Sequence, residues 1–158
     1  MFTIDSGEPV AAATLLWIQL LAIERWAAGN YGARDIRRWQ MLALKAAFRA
    51  KRKGESTLVA RVERRRVVGF GRIESRGRLL ALYVHPEFAG RGIGSALLGS
   101  CEQLVLDAGS EWTWLDAALN AVPFYFKHRY ALLRGGAACD ARSSALPTAR
   151  MAKELHRG

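Results

Sequence analysis

Three glycines spaced two apart, Gly90, Gly92 and Gly94, separate the apolar run Leu79-Leu80-Ala81-Leu82-Tyr83-Val84 from a helix-forming stretch. The segment Val84-His85-Pro86-Glu87-Phe88-Ala89-Gly90-Arg91-Gly92-Ile93-Gly94-Ser95 reads as the end of a strand, a proline turn and a helix entry. Such an entry can cradle an anion. Glycine lets the backbone come close to a bulky phosphate, and the first-turn N–H groups of a helix have no internal partner. The helix dipole adds about 0.3–1 kcal/mol for a negative group there. Each amide aimed at a pyrophosphate contributes about 1.5–3 kcal/mol. Two familiar phosphate motifs are excluded. A P-loop needs Gly-Lys-Ser/Thr after a four-residue gap, and no such string is present. A dinucleotide fingerprint needs G-x-G-x-x-G, whereas Gly94 follows Gly92 by two positions. Taken alone, the glycines leave a second reading open, in which they only permit close packing.

The elements that position this segment follow from periodicity. Phe2-Thr3-Ile4 reads as an opening strand with Ser6-Gly7 as the turn out of it. Leu15, Leu16, Ile18, Leu21, Ala22 and Trp26 then recur at helical spacing until Gly29-Asn30. A second helix runs from Ala33 to about Ala50. Its stripe of Ile36, Trp39, Leu42, Ala43, Ala46 and Ala47 is opposed by Arg34, Arg37, Arg38, Lys45 and Arg49. Three strands follow in a meander, from Ser56 to Val62, from Val67 to Ser75 and from Leu79 to Val84. The turns between them are Glu63-Arg64-Arg65-Arg66 and Arg76-Gly77-Arg78. The near-continuous apolarity of the third predicts a central strand covered on both faces.

A helix from Gly92 to Ala108 comes next, with Gly109 as its C-terminal cap. Trp112 to Ala117 is a strand, and Pro123 opens a short helix that ends near His128. The tail from Arg129 to Glu154 reads as two strands around Gly135-Gly136 and Arg142-Ser143-Ser144. The predicted order is β-α-α-β-β-β-α-β-α-β-β.

A second group of residues lies downstream, Asn120-Ala121-Val122-Pro123-Phe124-Tyr125 followed by Tyr130. With it the chain resembles the GNAT superfamily of N-acetyltransferases. The hallmark of that family is Gln/Arg-x-x-Gly-x-Gly/Ala between its fourth strand and third helix, and Ala89-Gly90-Arg91-Gly92-Ile93-Gly94 matches it apart from the first position. Many members also carry Asn-Ala-x-x-Phe-Tyr followed by glycine and an aromatic. The resemblance extends in element order over nearly the whole chain, and Tyr31 through Trp39 is similar to a stretch of small bacterial-type members.

The resemblance implies an α+β fold, a single GNAT-type domain over residues 1–158. Its mixed, mostly antiparallel central sheet would have about six to seven strands, flanked by about four helices. It implies acetyl-CoA as co-substrate, with no metal, and a primary amine of a small molecule or peptide as acceptor. Leu82, Tyr83 and Val84 map to the strand that exposes backbone groups to the pantetheine arm. Ala89, Gly90, Arg91, Gly92, Ile93, Gly94 and Ser95 map to the pyrophosphate loop, with the Ser95 hydroxyl as an extra donor. Asn120 matches the asparagine on the pantetheine side, and Tyr125 the tyrosine near the thioester sulfur. Two positions depart from the pattern. Ala89 replaces the polar first residue, which predicts weaker CoA binding with Arg91 as a substitute charge. Arg129 replaces the glycine before the aromatic, which predicts a reshaped turn.

Acetyl transfer needs a neutral amine, a stabilised tetrahedral intermediate and a protonated leaving thiolate. Tyr125, a phenol of pKa about 10, is the expected general acid. A backbone amide at Val84 or a neighbour is the family-like group for polarising the carbonyl. Glu74 is the first choice of base, ahead of Glu87 and Asp116. His85, for all its suitable pKa near 6.5, reads as a loop residue. His128 and His156 have no visible partners in the sequence, and Cys101 falls on the apolar stripe of its helix. A non-catalytic acyl-CoA-binding or regulatory module on the same fold is the competing reading. Antibiotic, polyamine, amino acid and protein N-terminus all stay open as acceptors.

Composition bounds these readings. The chain has 158 residues, 51% hydrophobic and 24% charged, the balance of one folded domain. Cys101 and Cys139 make neither a disulfide framework nor a zinc pattern. The net charge of +10 favours anionic partners. No nucleic-acid reader motif accompanies it, so nucleic acid is not the expected partner. The apolar stretch from Ala11 to Ile23 is shorter than the roughly 20 residues of a membrane span. Acidic Asp5 and Glu8 precede it, unlike a signal peptide. The expectation is a cytoplasmic protein off the membrane, with a homodimer left open.

Overall fold

The computed structural model of the chain describes residues 1–7, 9–137 and 146–158. Its elements run β1 (Phe2–Ser6), α1 (Ala12–Trp26), α2 (Ala33–Ala47), β2 (Glu55–Val62), β3 (Arg66–Glu74) and β4 (Leu79–Val84). They continue with α3 (Ile93–Asp107), β5 (Trp112–Ala118), α4 (Val122–Lys127), β6 (Ala131–Ala137) and β7 (Thr148–Glu154). The order expected from the sequence is the order found. Gly135 and Gly136 fall inside β6, while Cys139 and Arg142-Ser143-Ser144 lie outside the described residues. Among the described residues no helix is long and apolar enough to cross a membrane.

The strands form two antiparallel sheets, β1-β2-β3-β4 and β5-β7-β6. The parallel part of the expected mixed sheet is a single bridge, Arg78 to Trp114, that joins them. There the Trp114 N–H and the Thr113 hydroxyl both donate to the Gly77 carbonyl, each at 2.9 Å. Gly77 sits at φ +97°, and a Cβ on it would lie 2.0 Å from the Trp112 carbonyl oxygen, so no other residue fits the junction. Beyond the bridge β4 and β5 are each the outer strand of their own sheet, and their facing edges have no strand partner.

Glycine also sets the distance of α3 from β3. A Cβ on Gly71 would stand 2.8 Å from Cys101 Sγ, and one on Gly69 would stand 3.2 Å from Leu97. The helix therefore seats Leu97, Leu98, Cys101 and Val105 against the sheet with almost no exposure. It ends as the sequence predicts. Gly109 at φ +87° lets its own N–H reach Leu106 O and lets Ser110 N–H reach Val105 O, a Schellman cap.

Two expectations need correction. The helix α2 stops at Ala47 rather than near Ala50. Arg49 leaves the helical path to hold the buried carboxylate of Glu55 with two hydrogen bonds, at 2.8 and 3.1 Å. The apolar stripe of α2 lies where the sequence places it; of its members Ala43 alone is buried, and Trp39, Leu42, Ala43 and Ala46 line a cavity. The strand β4 is covered on both faces, Ala81 and Tyr83 packing with Leu15 and Ile18 of α1 and Leu82 and Val84 with Ile93 and Leu97 of α3, but it is the outer strand of its sheet rather than a central one. Only Leu79 is buried, and Leu80 is an extra residue between the pairs Ile73–Leu79 and Arg72–Ala81. Leu80 to Val84 also line the gap between the sheets.

Candidate active site

The divergence of β4 from β5 opens a cavity of about 670 Å³. Leu80 to Val84 form one wall and Leu115 to Ala118 the other, with Asn120, Phe124 and Tyr125 continuing the second. Ile23 and Trp26 of α1, Tyr31, and Trp39 and Ala43 of α2 close the far side. Tyr31 ties this helical layer to the second sheet. Its hydroxyl donates to Pro147 O at 2.5 Å and accepts from Leu119 N–H at 3.0 Å, and its ring meets Trp39 edge-on.

At one end of the cavity lies the glycine loop. Gly90 and Gly92 have φ +75° and +79°, the left-handed region that glycine enters freely, and a Cβ on either would meet nothing within 4 Å. Open space and positive φ, rather than tight packing, account for these two glycines. Gly92 caps α3 without a side chain, and the first intrahelical bond runs from Ala96 N–H to Gly92 O. The amides of Ile93, Gly94 and Ser95 thus have no partner in the helix. Ala89 and Gly94 line the adjoining cavity.

The side chains around the loop are arranged differently from their sequence reading. Arg91 donates to Glu87 O at 3.1 Å, and both Arg91 and Arg66 lie over the Phe88 ring at 4.9 Å. His85 is a loop residue as expected. Its Nδ1 accepts from Glu87 N–H at 3.2 Å and caps a 3-10 turn over Pro86–Phe88. His128 does have partners, contrary to its sequence reading. Its Nε2 is 3.0 Å from Ser95 Oγ, its ring packs on Phe124 at 4.6 Å, and desolvation holds its pKa below the ordinary value. His156 is exposed and Cys101 is core.

Tyr125 comes to the cavity wall on α4, which begins at Val122 with Pro123 in its first turn and closes on an Arg129 of φ +68°. The Arg129 N–H bonds Phe126 O, and the Tyr130 N–H bonds Tyr125 O, each at 3.0 Å. Arginine here adopts the conformation a glycine would take, so the turn is not reshaped. Burial, with smaller contributions from Tyr83 and Cys101, raises the Tyr125 pKa well above that of a free phenol. Its hydroxyl makes no hydrogen bond to a described residue.

Two buried polar atoms among the described residues have no hydrogen-bond partner, Asn120 Oδ1 and Thr148 Oγ1, and both residues line this cavity. Buried acceptors are almost always satisfied, so each marks a place where something else bonds. Sequence reasoning found Asn120 and missed Thr148, because a threonine at the start of a strand carries no signal. Of the carboxylates weighed as bases, Asp116 lines the cavity and accepts two hydrogen bonds from Arg150 at 2.8 and 3.1 Å. Glu74, at the end of β3 away from Val84, is not on the cavity wall, and Glu87 is exposed on the loop. Among the described residues no three His, Cys, Asp or Glu side chains gather to hold a metal ion.

The model of a family described as an acetyltransferase (GNAT) domain matches residues 27–143. No curated protein matches. Among solved structures the chain is similar to a GCN5-related N-acetyltransferase from Rhodopseudomonas palustris, with 28% identity, 97% of this chain and 95% of that one covered, and a TM-score of 0.83. It shares its fold with the PaiA N-acetyltransferase from Thermoplasma acidophilum, solved in complex with coenzyme A. That match has 19% identity, coverage of 98% and 99%, and a TM-score of 0.70. An aminoglycoside 6'-N-acetyltransferase complexed with coenzyme A has the same fold at 17% identity, 99% and 98% coverage, and a TM-score of 0.66.

Proposed function

Because this chain belongs to the GNAT acetyltransferase family, we propose that it transfers the acetyl group of acetyl-CoA to a primary amine in the cleft between β4 and β5. The observation that carries this reading is Asn120 Oδ1, a buried acceptor without a partner, in a cavity that runs up to the uncapped start of α3. The residues fit the co-substrate. The free edge of β4 at Leu82, Tyr83 and Val84 offers backbone groups to a pantetheine arm, and Asn120 Oδ1 accepts from one of its amides. The amides from Ala89 to Ser95, with open space above Gly90 and Gly92, receive the pyrophosphate. Bound acetyl-CoA supplies the activated acyl group as a thioester.

The remaining work falls to this chain's side chains and backbone. An edge amide of β4 near Val84 polarises the carbonyl. Tyr125, held as a neutral phenol by its burial, donates to the leaving sulfur. Asp116 stands in for Glu74 as the carboxylate that receives the amine proton, through water, since it is the acid lining the cavity among the described residues. The whole chain acts as one domain, in the cytoplasm, where acetyl-CoA is at hand. The competing reading, an acyl-CoA-binding module without turnover, draws on Ala89 alone.

The test is titration calorimetry with CoA, together with thiol release from acetyl-CoA over a panel of amines. CoA binds the parent, and at least one amine is turned over. Asn120→Leu weakens CoA binding by roughly tenfold or more while leaving stability equal or higher, since it removes an unpaired buried polar group. Unchanged CoA affinity in that variant, or no CoA binding by the parent, removes the assignment. Binding without turnover of any amine selects the module reading.

A further inference from the structure

A second hollow, of about 160 Å³, lies between α1, the end of α2 and β3. It shares Gln19, Ala46, Leu80 and Ala81 with the main cavity, so the two adjoin at the β4 bulge. Among the described residues Arg49 and Arg72 are the only ionisable ones that line it, and no carboxylate does. Glu55, whose side chain is 2% exposed, takes both terminal nitrogens of Arg49. Arg72 makes no hydrogen bond or ion pair with a described residue. Its guanidinium is disfavoured by burial and by the charge of Arg49, with Glu55 as the compensating charge. Two guanidiniums therefore share one carboxylate, in a hollow walled mainly by alanine, leucine and phenylalanine.

A half-buried cation without its own counter-ion destabilises a fold, and an apolar residue would pack better in that wall. The planar fork of arginine suits two parallel hydrogen bonds to a carboxylate. We propose that this hollow is an anion subsite for the acceptor, so that the amine entering the main cavity also carries a carboxylate, bound by Arg72 with Arg49 beside it. The acceptor class is then an amino acid or a peptide with a nearby carboxylate, rather than a polyamine. This inference rests on the acetyl-transfer reading above.

The experiment pairs each acceptor with its carboxamide. Glycine, β-alanine and γ-aminobutyrate are compared with their amides as acceptors, and their N-acetyl products with the corresponding N-acetyl amides as ligands of the CoA-loaded protein. The acids have a KM, and the acetylated acids a Kd, about tenfold or more below those of the amides, the range for a charge-assisted hydrogen bond. Arg72→Gln erases that difference, Arg72→Lys keeps part of it, and both bind CoA like the parent. Arg72→Gln melts no lower than the parent, which separates a lost contact from a lost fold. Acid and amide behaving alike in both readouts, including no binding of either, overturns the subsite. So does a difference that survives Arg72→Gln. Failure of CoA to bind the parent defeats the acetyl-transfer reading instead.

Discussion

Tyr125 lies where burial, then its neighbours Tyr83 and Cys101, make the phenolate unfavourable. A phenol whose pKa is raised stays protonated through and beyond pH 10, the ordinary phenol range. As the proposed acid it would then be protonated at every working pH and contribute no falling limb to the rate profile. The expected kcat/KM rises with pH as the acceptor amine loses its proton and then levels, up to about pH 10. A descending limb below pH 9 that disappears in Tyr125→Phe would contradict this. The same variant should lower kcat by about 10²-fold, with CoA affinity within about twofold of the parent. Turnover within twofold of the parent would make Tyr125 a packing residue. Cys101, pushed up to about 12 by burial, is by contrast a neutral member of the core. At this scale the site was legible wherever a motif held it, at Asn120, Tyr125 and the glycine loop. It was not legible at Thr148 or Arg72, and Asp116 was ranked behind Glu74, because their importance comes from neighbours distant in the chain.

The elements carry their own strain. Arg129 holds φ +68° so that α4 can close and Tyr130 can return to the core. A non-glycine residue pays about 1–2 kcal/mol for that conformation. Arg129→Gly should therefore raise stability by about 1 kcal/mol in urea unfolding, after the extra freedom of glycine in the unfolded chain is subtracted. No change in midpoint, or a loss, would mean that the arginine side chain makes a compensating contact. The β4 strand illustrates how an element can be identified correctly and its surroundings misjudged. Six apolar residues in a row suit a central strand covered on both faces, and they equally suit an outer strand that is covered by α1 and α3 and also lines a cavity. Hydrophobicity does not distinguish a wall of protein from a wall awaiting a ligand.

At the scale of the molecule, the cleft depends on two sheets being joined at one end and separate at the other. Gly77 is the hinge point of that join, with its carbonyl bonded from Trp114 and Thr113. Gly77→Ala combines a positive φ with a Cβ 2.0 Å from the Trp112 carbonyl oxygen. It should cost about 3 kcal/mol or more, and any folded fraction should bind CoA more weakly because β4 and β5 are displaced together. A melting temperature equal to the parent's would show that the join tolerates movement. Arg78 and Arg150 both lie over the Trp114 ring at 5.0 Å, which places Asp116 and its arginine partner next to the same junction.

The sequence by itself determined the order of the elements, the helix cap at Gly109, the first-turn proline at Pro123, the glycine loop at Gly90 to Gly94 and the family. These depend on local rules: periodicity, backbone freedom at glycine and proline, and residues close along the chain. Only the tertiary structure decided that the sheet is two sheets, that Asp116 rather than Glu74 lines the cavity, and that Asn120 Oδ1 has no hydrogen-bond partner among the described residues. Each of those depends on which strand edges pair and which do not. Pairing is settled by packing between residues tens of positions apart, where one glycine at Gly77 redirects a whole wall.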